Sequence, residues 1–244
     1  MSFFSWFSSG KKERSIEDMY NDIGRFSNDD DMQNEQLLEL AKYDRTYLQV
    51  WNLMKKGGNV DVVPNAYGEF GHDITNPVPV NGVVGEITYL SRLLTSSGEK
   101  VFFHRLGSIN TIDVFEIVSQ SGLEWDILYL DMYNTRKTRF VPNNYQFQRN
   151  KQSQPMTFLT RGIDAYIEDF PRSFYDILFY SYNPDPQTML ATKMIADPDG
   201  KKISYLQRPV WHLKLVQQCI SRLSAQKAVK ISGSQILTQL RSRR

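Results

Sequence analysis

Apolar residues recur at helical spacing through residues 15–56, with one polar interruption near the middle. Ile16, Met19 and Ile23 fall on one side of a first helix, and the polar run at residues 27–31 provides a start for a second one. Two glycines at positions 57 and 58 end the pattern, because glycine commonly terminates a helix. The spacing therefore predicts two helices that form a hairpin.

Gly, Pro and Asn dominate residues 60–85, so the helical pattern stops there. Pro77 and Pro79 alternate with valines, and proline cannot donate to the ladder of a central strand. This run is predicted to be an ordered loop or an edge strand. Residues 86–94 return to helical spacing and predict a short helix.

Three segments rich in Val, Ile, Phe, Trp and Tyr follow at residues 101–106, 111–119 and 123–133. Such side chains favour strands, and turn residues separate the segments. The connection Gln120-Ser121-Gly122 suits a hairpin loop whose last residue takes a left-handed backbone conformation. We expect an antiparallel meander that is covered on both sides or continues into a sandwich, because the third segment is apolar on both faces.

Shorter elements are predicted further along the chain. Residues 134–155 are polar and basic and indicate a surface loop. Residues 158–206 indicate a strand, a helix that begins at Pro171, and two short strands. A last turn or two of helix is expected near residues 234–240.

A longer helix is predicted over residues 209–224, and its two sides differ. Lys214, Gln218 and Arg222 stand four apart and should form an exposed cationic stripe. The opposite side should be buried, with Cys219 on or near it acting as a small hydrophobe. The apolar residues of that side are Val210, Leu213, Val216, Ile220 and Leu223.

Together these patterns predict an α+β protein with an N-terminal helical hairpin, a central antiparallel β-meander with packed helices, and a basic helical C-terminus. Three parts are expected. Residues 1–58 hold an aromatic opening and the hairpin, residues 59–207 form the α+β core domain, and residues 208–244 form the basic helical segment.

Composition indicates a folded, intracellular protein. Hydrophobic residues make up 41% of the chain and aromatic residues 13%, which is enough to form a core. The single cysteine excludes an intrachain disulfide and fits a reducing compartment. The opening residues lack the features of a secretory signal, and no apolar run has the length of a membrane span. A cytoplasmic location is therefore expected.

Charge is divided unevenly along the chain. Residues 1–199 carry a net charge of −8, residues 200–244 carry +10, and no Asp or Glu follows Asp199. Such a cationic end favours an acidic partner, which could be nucleic acid, an acidic protein or an anionic membrane. The expected contacts are Arg208, Lys214, Arg222, Lys227, Lys230, Arg241, Arg243 and Arg244. Alternatively, these charges pack against the acidic part of the same chain or of a second copy in a homo-oligomer.

Aromatic residues crowd the first seven positions, with lysines directly behind them. This arrangement is typical of a weak interfacial membrane anchor. The residues concerned are Phe3, Phe4, Trp6, Phe7, Lys11 and Lys12. The alternative is that these rings pack on the body of the protein or on a second copy.

Candidate chemistry is sparse. No common motif for nucleotide binding, a nucleophilic serine or a zinc protease occurs, so no metal or cofactor is expected. The catalytic candidates are His72 with Asp73, and His104 with Arg105, as a hydrolase site in loops at one end of the sheet. Against this, His104 lies on an apolar strand, where a structural imidazole is the commoner outcome.

The remaining acidic residues favour structural roles. Residues 29–31 are all Asp, and acidic side chains are expected at the start of a helix for electrostatic reasons. Glu86 and Glu116 are isolated in the sequence. The sequence thus favours a non-catalytic interaction protein with an acidic partner over two alternatives, a hydrolase and a peripheral membrane protein.

Overall fold

The computed structural model describes residues 16–148, 166–173, 205–223 and 238 of the 244-residue chain. Its helices are α1 (Ile16–Asn28), α2 (Asp30–Ala41), α3 (Arg45–Gly57), α4 (Gly82–Leu90) and α5 (Val210–Arg222). Its strands are β1 (Val78–Pro79), β2 (Leu93–Thr95), β3 (Val101–Ile109), β4 (Ile112–Ser119), β5 (Trp125–Asp131) and β6 (Tyr145–Phe147).

The predicted meander forms the centre of the structure. Strands β3, β4 and β5 pair antiparallel, and β1 joins the edge of β5 in parallel, which gives the order β1-β5-β4-β3. Strands β2 and β6 form a separate antiparallel pair. Gly122 has a φ of 77°, so the hairpin between β4 and β5 has the left-handed last residue that its sequence predicts.

Helices cover the two sides of this sheet, as the apolar pattern of the third strand predicts. The α5 face carries His104, Glu116 and Ile127, which lie opposite one another across the three strands. The α4 face carries Phe103, Ile117 and other side chains one position away, because successive residues point to opposite faces. Residues of α4 join one buried apolar cluster, which also includes Phe102, Val118 and Trp125 of the α5 face, and residues of α5 join a second cluster.

The N-terminal part contains three helices rather than two. Helix α1 continues through Gly24, and the second predicted helix is divided at Asp44. The carboxylate of Asp44 accepts a hydrogen bond from the backbone nitrogen of Thr46 at 2.8 Å, which caps the new helix α3. The hairpin is formed by α2 and α3, which pack on each other.

The glycine-rich and proline-rich run contains a short edge strand, β1, as predicted. The helix after it begins at Gly82, four residues before the predicted start, and residues 93–95 form β2 instead of its last turn. The basic loop that follows β5 is partly buried. Lys137 is enclosed, with its Nζ bound to Asp30 and 2.8 Å from Oε1 of Gln33.

Helix α5 confirms the predicted element but shifts its buried side. His212, Val216 and Cys219 face the sheet, whereas Val210 is 71% exposed. Within the described residues, no helix is long and apolar enough to cross a membrane. The α+β class is therefore confirmed. The expected helix after Pro171, the strand at residues 158–167, the other two short strands and the last helical turns lie mostly outside the described residues. Of the residues that are described, 171–173 form a turn, 205–206 are not in a strand, and residue 238 is helical.

Candidate functional site

Three basic side chains surround the carboxylate of Glu116 on the α5 face. His104 Nε2 lies 2.7 Å from Oε2, and His212 Nε2 lies 3.1 Å from Oε1. Arg208 binds with two nitrogens, since its Nε donates to Oε1 at 2.6 Å and its Nη2 donates to Oε2 at 2.8 Å. We call these four residues the Glu116 cluster. It joins β3, β4, the segment before α5 and α5 itself.

The guanidinium of Arg208 has no donor left for a partner. Its Nη1 donates to the Tyr166 hydroxyl at 3.2 Å and to the Glu168 carbonyl at 2.7 Å, and its Nη2 donates to the Ile167 carbonyl at 3.0 Å. Arginine carries five N–H donors, and these bonds together with those to Glu116 use all five. The side chain is only 5% exposed.

Electrostatics keep Glu116 ionised inside the protein. Burial alone would raise its pKa, but hydrogen bonds from Arg208, His104 and His212 outweigh burial and hold the pKa well below its usual range. Burial lowers the pKa of His104, so this ring is neutral at pH 7. An ionised carboxylate only accepts hydrogen bonds, so Nε2 is the protonated nitrogen of both histidines.

The Glu116 cluster therefore anchors α5 to the sheet and is closed to a partner. This corrects the expectation for Arg208, which the sequence assigns to the cationic binding surface. Arg208 instead pairs with a carboxylate of its own chain. This agrees with the alternative in which the cationic end packs against the acidic part of the same chain. His104 is likewise a buried, hydrogen-bonded structural histidine, next to the Phe170 ring at a centroid distance of 4.2 Å.

The opposite side of α5 is exposed. Trp211, Lys214, Leu215, Gln218 and Arg222 are separated by three, four, seven and eleven residues from the first of them, so they share one side of the helix. We call them the α5 outer surface. Trp211 is 53% exposed and Leu215 is 42% exposed. The charged and amide side chains of this surface are also exposed, which gives the cationic stripe that the spacing predicts.

Most of the other expected binding residues lie outside the described part of the chain. They are the cationic residues Lys227, Lys230, Arg241, Arg243 and Arg244, and the expected membrane-interface residues Phe3, Phe4, Trp6, Phe7, Lys11 and Lys12.

His72 lies in the loop beside β5 and has a different carboxylate partner. Its Nε2 is 2.8 Å from Oδ2 of Asp126, and the Tyr145 hydroxyl donates to the same oxygen at 3.0 Å. Burial acts to lower the pKa of His72, but the hydrogen bond and charge of Asp126, with the charge of Glu69, raise it above its usual value. This pair links the loop to the sheet.

The structure does not bring the four catalytic candidates together. Asp126 is opposite Ile117, so His72 contacts the α4 face, whereas His104 lies on the α5 face. Asp73 accepts a hydrogen bond from the Thr75 backbone nitrogen at 2.9 Å, which forms a local turn. Arg105 pairs with Asp113 at 2.9 Å. These residues are therefore divided among separate local interactions.

A second buried carboxyl group, Glu86, lies at α4. Burial raises its pKa well above the usual range, and the charge of Asp113 and a hydrogen bond to it act in the same direction. Oε1 of Glu86 is buried without a hydrogen-bond partner in the described structure, which fits a neutral carboxyl group. Asp113 also binds Arg105, so this carboxyl pair is enclosed between α4 and the sheet.

The described residues contain neither a metal-binding cluster nor a reactive thiol. No group of three or more His, Cys, Asp or Glu there is arranged to hold a metal ion. Cys219 is buried, with its Sγ 3.6 Å from the Tyr129 hydroxyl, and burial raises the pKa of its thiol. A buried thiol with a raised pKa is a poor nucleophile.

Sequence reasoning missed Glu116 and Glu86, which both appear isolated along the chain. One signal was present for Glu116, because an ionisable residue in the middle of an apolar strand needs a buried partner. His104 on the preceding strand was the nearest candidate in the sequence. Pairing β3 with β4 would have joined the two.

The fold and the α5 outer surface define an α+β protein with an anchored, cationic and partly apolar helix on its surface. No known protein-family model matches the chain, and no curated protein or solved structure is significantly similar to it.

Proposed function

We propose that this protein is a non-catalytic interaction protein whose α5 outer surface binds an acidic segment of another protein. One observation carries the proposal: α5 is fixed to the sheet by the Glu116 cluster, while its other side exposes Trp211 and Leu215 beside Lys214 and Arg222. The single cysteine supports a cytoplasmic location.

Charge complementarity favours an acidic partner. Helix α5 contains no Asp or Glu, and none occurs in the chain after Asp199. A partner's carboxylates would therefore meet Lys214 and Arg222 without repulsion from this helix. Complementary charges mainly increase the association rate and the specificity, and their effect decreases with salt.

Exposed apolar groups favour a protein over nucleic acid as this partner. Leu215 lies between the two cationic side chains along α5, Trp211 lies one turn before Lys214, and Val210 and Tyr205 extend the apolar area at the start of α5. Protein interfaces combine such aromatic and aliphatic anchors with a polar rim. A nucleic-acid surface relies on many phosphate contacts, and the described part of the α5 outer surface offers two cations for them, Lys214 and Arg222.

A labelled peptide of about 20 residues that alternates Glu with Leu and Phe serves as the probe, with fluorescence anisotropy as the measurement. We expect binding that the Trp211→Ser variant weakens about tenfold, because a buried interface aromatic contributes about 1–2 kcal/mol or more. The double variant Lys214→Gln/Arg222→Gln should weaken it by a factor of about 3–10, since exposed charge pairs contribute about 0.2–1 kcal/mol each.

The matched control is Lys55→Gln/Lys56→Gln, which removes two exposed charges from α3. It should leave peptide binding unchanged apart from a small decrease in affinity, because the protein loses two positive charges that attract the peptide weakly at long range. Equal losses in the two double variants would disprove a role for the α5 outer surface. Tighter binding of a 20-base-pair DNA duplex, with affinity falling steeply with salt, would replace the protein partner by nucleic acid.

A further inference from the structure

A polar cleft separate from the Glu116 cluster lies among the N-terminal helices and the loops that meet them, and none of the four cluster residues lines it. It opens between α1, the start of α2, and the loops that follow α3 and β5, with a volume of about 970 Å³. That volume is at the upper end of the range for small-molecule sites. The side chains that line it are almost all Asn, Asp, Arg, Gln or Thr.

Most charged groups of this cleft already have partners. Arg136 Nη1 donates to Asp61 at 2.7 Å, and Asp30 binds the buried Lys137. Asp29 caps α2 by accepting from the Met32 backbone nitrogen at 2.9 Å. These groups form the walls of the cleft, and their charges are largely compensated.

Among the basic groups of the cleft, Arg92 is the exception. Its guanidinium lies 4.6 Å from the centroid of the Phe147 ring, and no hydrogen bond or ion pair joins it to another of the described residues. Burial lowers the pKa of Arg92, although the charge of Asp30 partly offsets this effect. A half-buried guanidinium with its N–H donors unused and one side against an aromatic ring is well suited to receive an anion in its plane.

A second polar group without a partner lies beside Arg92. The backbone nitrogen of Gln148 donates to the Arg92 carbonyl at 3.1 Å, which places the two residues next to each other. Oε1 of Gln148 is buried and has no hydrogen-bond partner in the described structure. Buried polar atoms are normally hydrogen-bonded, so an acceptor left open in a cleft wall fits a ligand that donates a hydrogen bond.

We propose that this cleft binds a small hydroxylated molecule with one anionic group, a phosphate or a carboxylate, held by Arg92. The hydroxyl groups of the ligand donate to Oε1 of Gln148 and to the Asn and Asp oxygens of the walls. The three aspartates at residues 29–31 disfavour a ligand with two or more anionic groups, such as a polyphosphate, because one unpaired guanidinium can receive only one such group. A sugar phosphate or a sugar acid meets these requirements.

Isothermal titration calorimetry with four probes tests the proposal. Glucose 6-phosphate and glucuronate carry the two anionic groups on the same type of ring, glucose lacks the charge, and inorganic phosphate lacks the ring. We expect at least one of the two sugar anions to bind, and to bind roughly tenfold more tightly than glucose or inorganic phosphate. Whichever of the two binds more tightly identifies the anionic group.

Arg92→Gln should weaken binding of the sugar anion at least tenfold. The control is Arg45→Gln, which removes one exposed positive charge on α3 away from the cleft and should leave binding unchanged. Thermal unfolding of both variants establishes that they are folded. Absence of binding by both sugar anions, equal binding of glucose, equal binding of inorganic phosphate, or unchanged binding by folded Arg92→Gln would each overturn the proposal.

Discussion

Two buried glutamates have opposite protonation states because their neighbours differ. Glu116 faces one guanidinium and two imidazole N–H groups, so its negative charge is stabilised. Glu86 faces Asp113, so its neutral form is stabilised. Burial acts on both in the same direction, and the partner decides the outcome.

Glu86 should make the protein less stable as the pH rises. Its pKa is raised in the folded state, so its favourable contribution is complete below about pH 4.3, the usual value for Glu, and is lost as the pH approaches the folded-state pKa. Glu86→Gln keeps a neutral group and should increase the free energy of unfolding by about 1–3 kcal/mol at pH 8, with a smaller gain at pH 5. Urea unfolding at both values measures this.

Glu35→Gln is the control for this prediction, because Glu35 is exposed on α2. Its effect should stay within about 0.5 kcal/mol at both pH values. A gain from Glu86→Gln that is the same at pH 5 and pH 8 would mean that Glu86 binds the same number of protons in the folded and unfolded states over this range, which contradicts a raised folded-state pKa.

At the scale of single elements, the end of α3 is fixed by close contact with the loop after β5. A Cβ atom on Gly57 would lie 1.8 Å from the Tyr133 carbonyl oxygen. The next residue, Gly58, has a φ of 81° and accepts a hydrogen bond from the Thr135 backbone nitrogen at 2.9 Å. Glycine at position 57 therefore allows the end of α3 and the loop after β5 to come into close contact, and it also lies where the helix ends.

Gly57→Ala should lower the free energy of unfolding by about 3 kcal/mol, because the Tyr133 backbone carbonyl cannot move aside easily. This is at the upper end of the usual cost of adding a methyl group to a closely packed site. Native-state hydrogen exchange should also show faster exchange of the Thr135 amide. Gly98→Ala is the control. It has a φ of 89° with open space around its Cβ position, so it should cost about 1 kcal/mol and leave Thr135 unchanged. Equal exchange of Thr135 in both variants would contradict the contact.

For the whole molecule, the uneven charge of the sequence is partly compensated inside the fold. Arg208 belongs to the cationic end of the chain, and Glu116 belongs to the acidic part, yet they form one buried ion pair. Lys214 and Arg222 remain on the surface. The asymmetry is therefore used in two ways, to fix α5 to the sheet and to leave a cationic surface on its outer side.

Glu116→Gln should lower the free energy of unfolding by about 3–5 kcal/mol at pH 7, since it leaves the buried Arg208 without its counter-charge. The pKa of Glu116 is depressed in the folded state, so its contribution is complete above about pH 4.3 and is lost as the pH falls below that value. Urea unfolding from pH 7 to pH 3 should show a shallower acid dependence in this variant.

Glu39→Gln provides the comparison, because Glu39 is exposed and pairs with Lys42 on the surface. It should change stability by less than about 0.5 kcal/mol. If the two variants are equally stable, the Glu116 cluster does not hold α5 on the sheet.

The sequence by itself determined the class of the fold and the elements whose signals are local. The strand-forming β-branched and aromatic residues predicted the meander, and Gly122 predicted its left-handed turn. The spacing of Lys214, Gln218 and Arg222 predicted the exposed stripe of α5. These signals lie within one strand, one turn or one helix, and local geometry is sufficient to interpret them.

Tertiary structure decided which charged groups are buried. Ile109 pairs with Ile112 across the β3–β4 turn, and this register continued without interruption would place Ile117 opposite His104. A bulge between Arg105 and Gly107 shifts the register by one residue, so Glu116 faces His104 on the α5 face. Arg208 then completes the cluster from 92 positions further along the chain.

Arg208 and Lys214 are only six residues apart and carry the same charge, so their local sequence does not separate an internal ion pair from an exposed cation. The distinction depends on what each side chain meets when α5 packs on the sheet. Long-range packing sets the dielectric surroundings and the partner of each charge, whereas local periodicity sets only the side of the helix on which it lies.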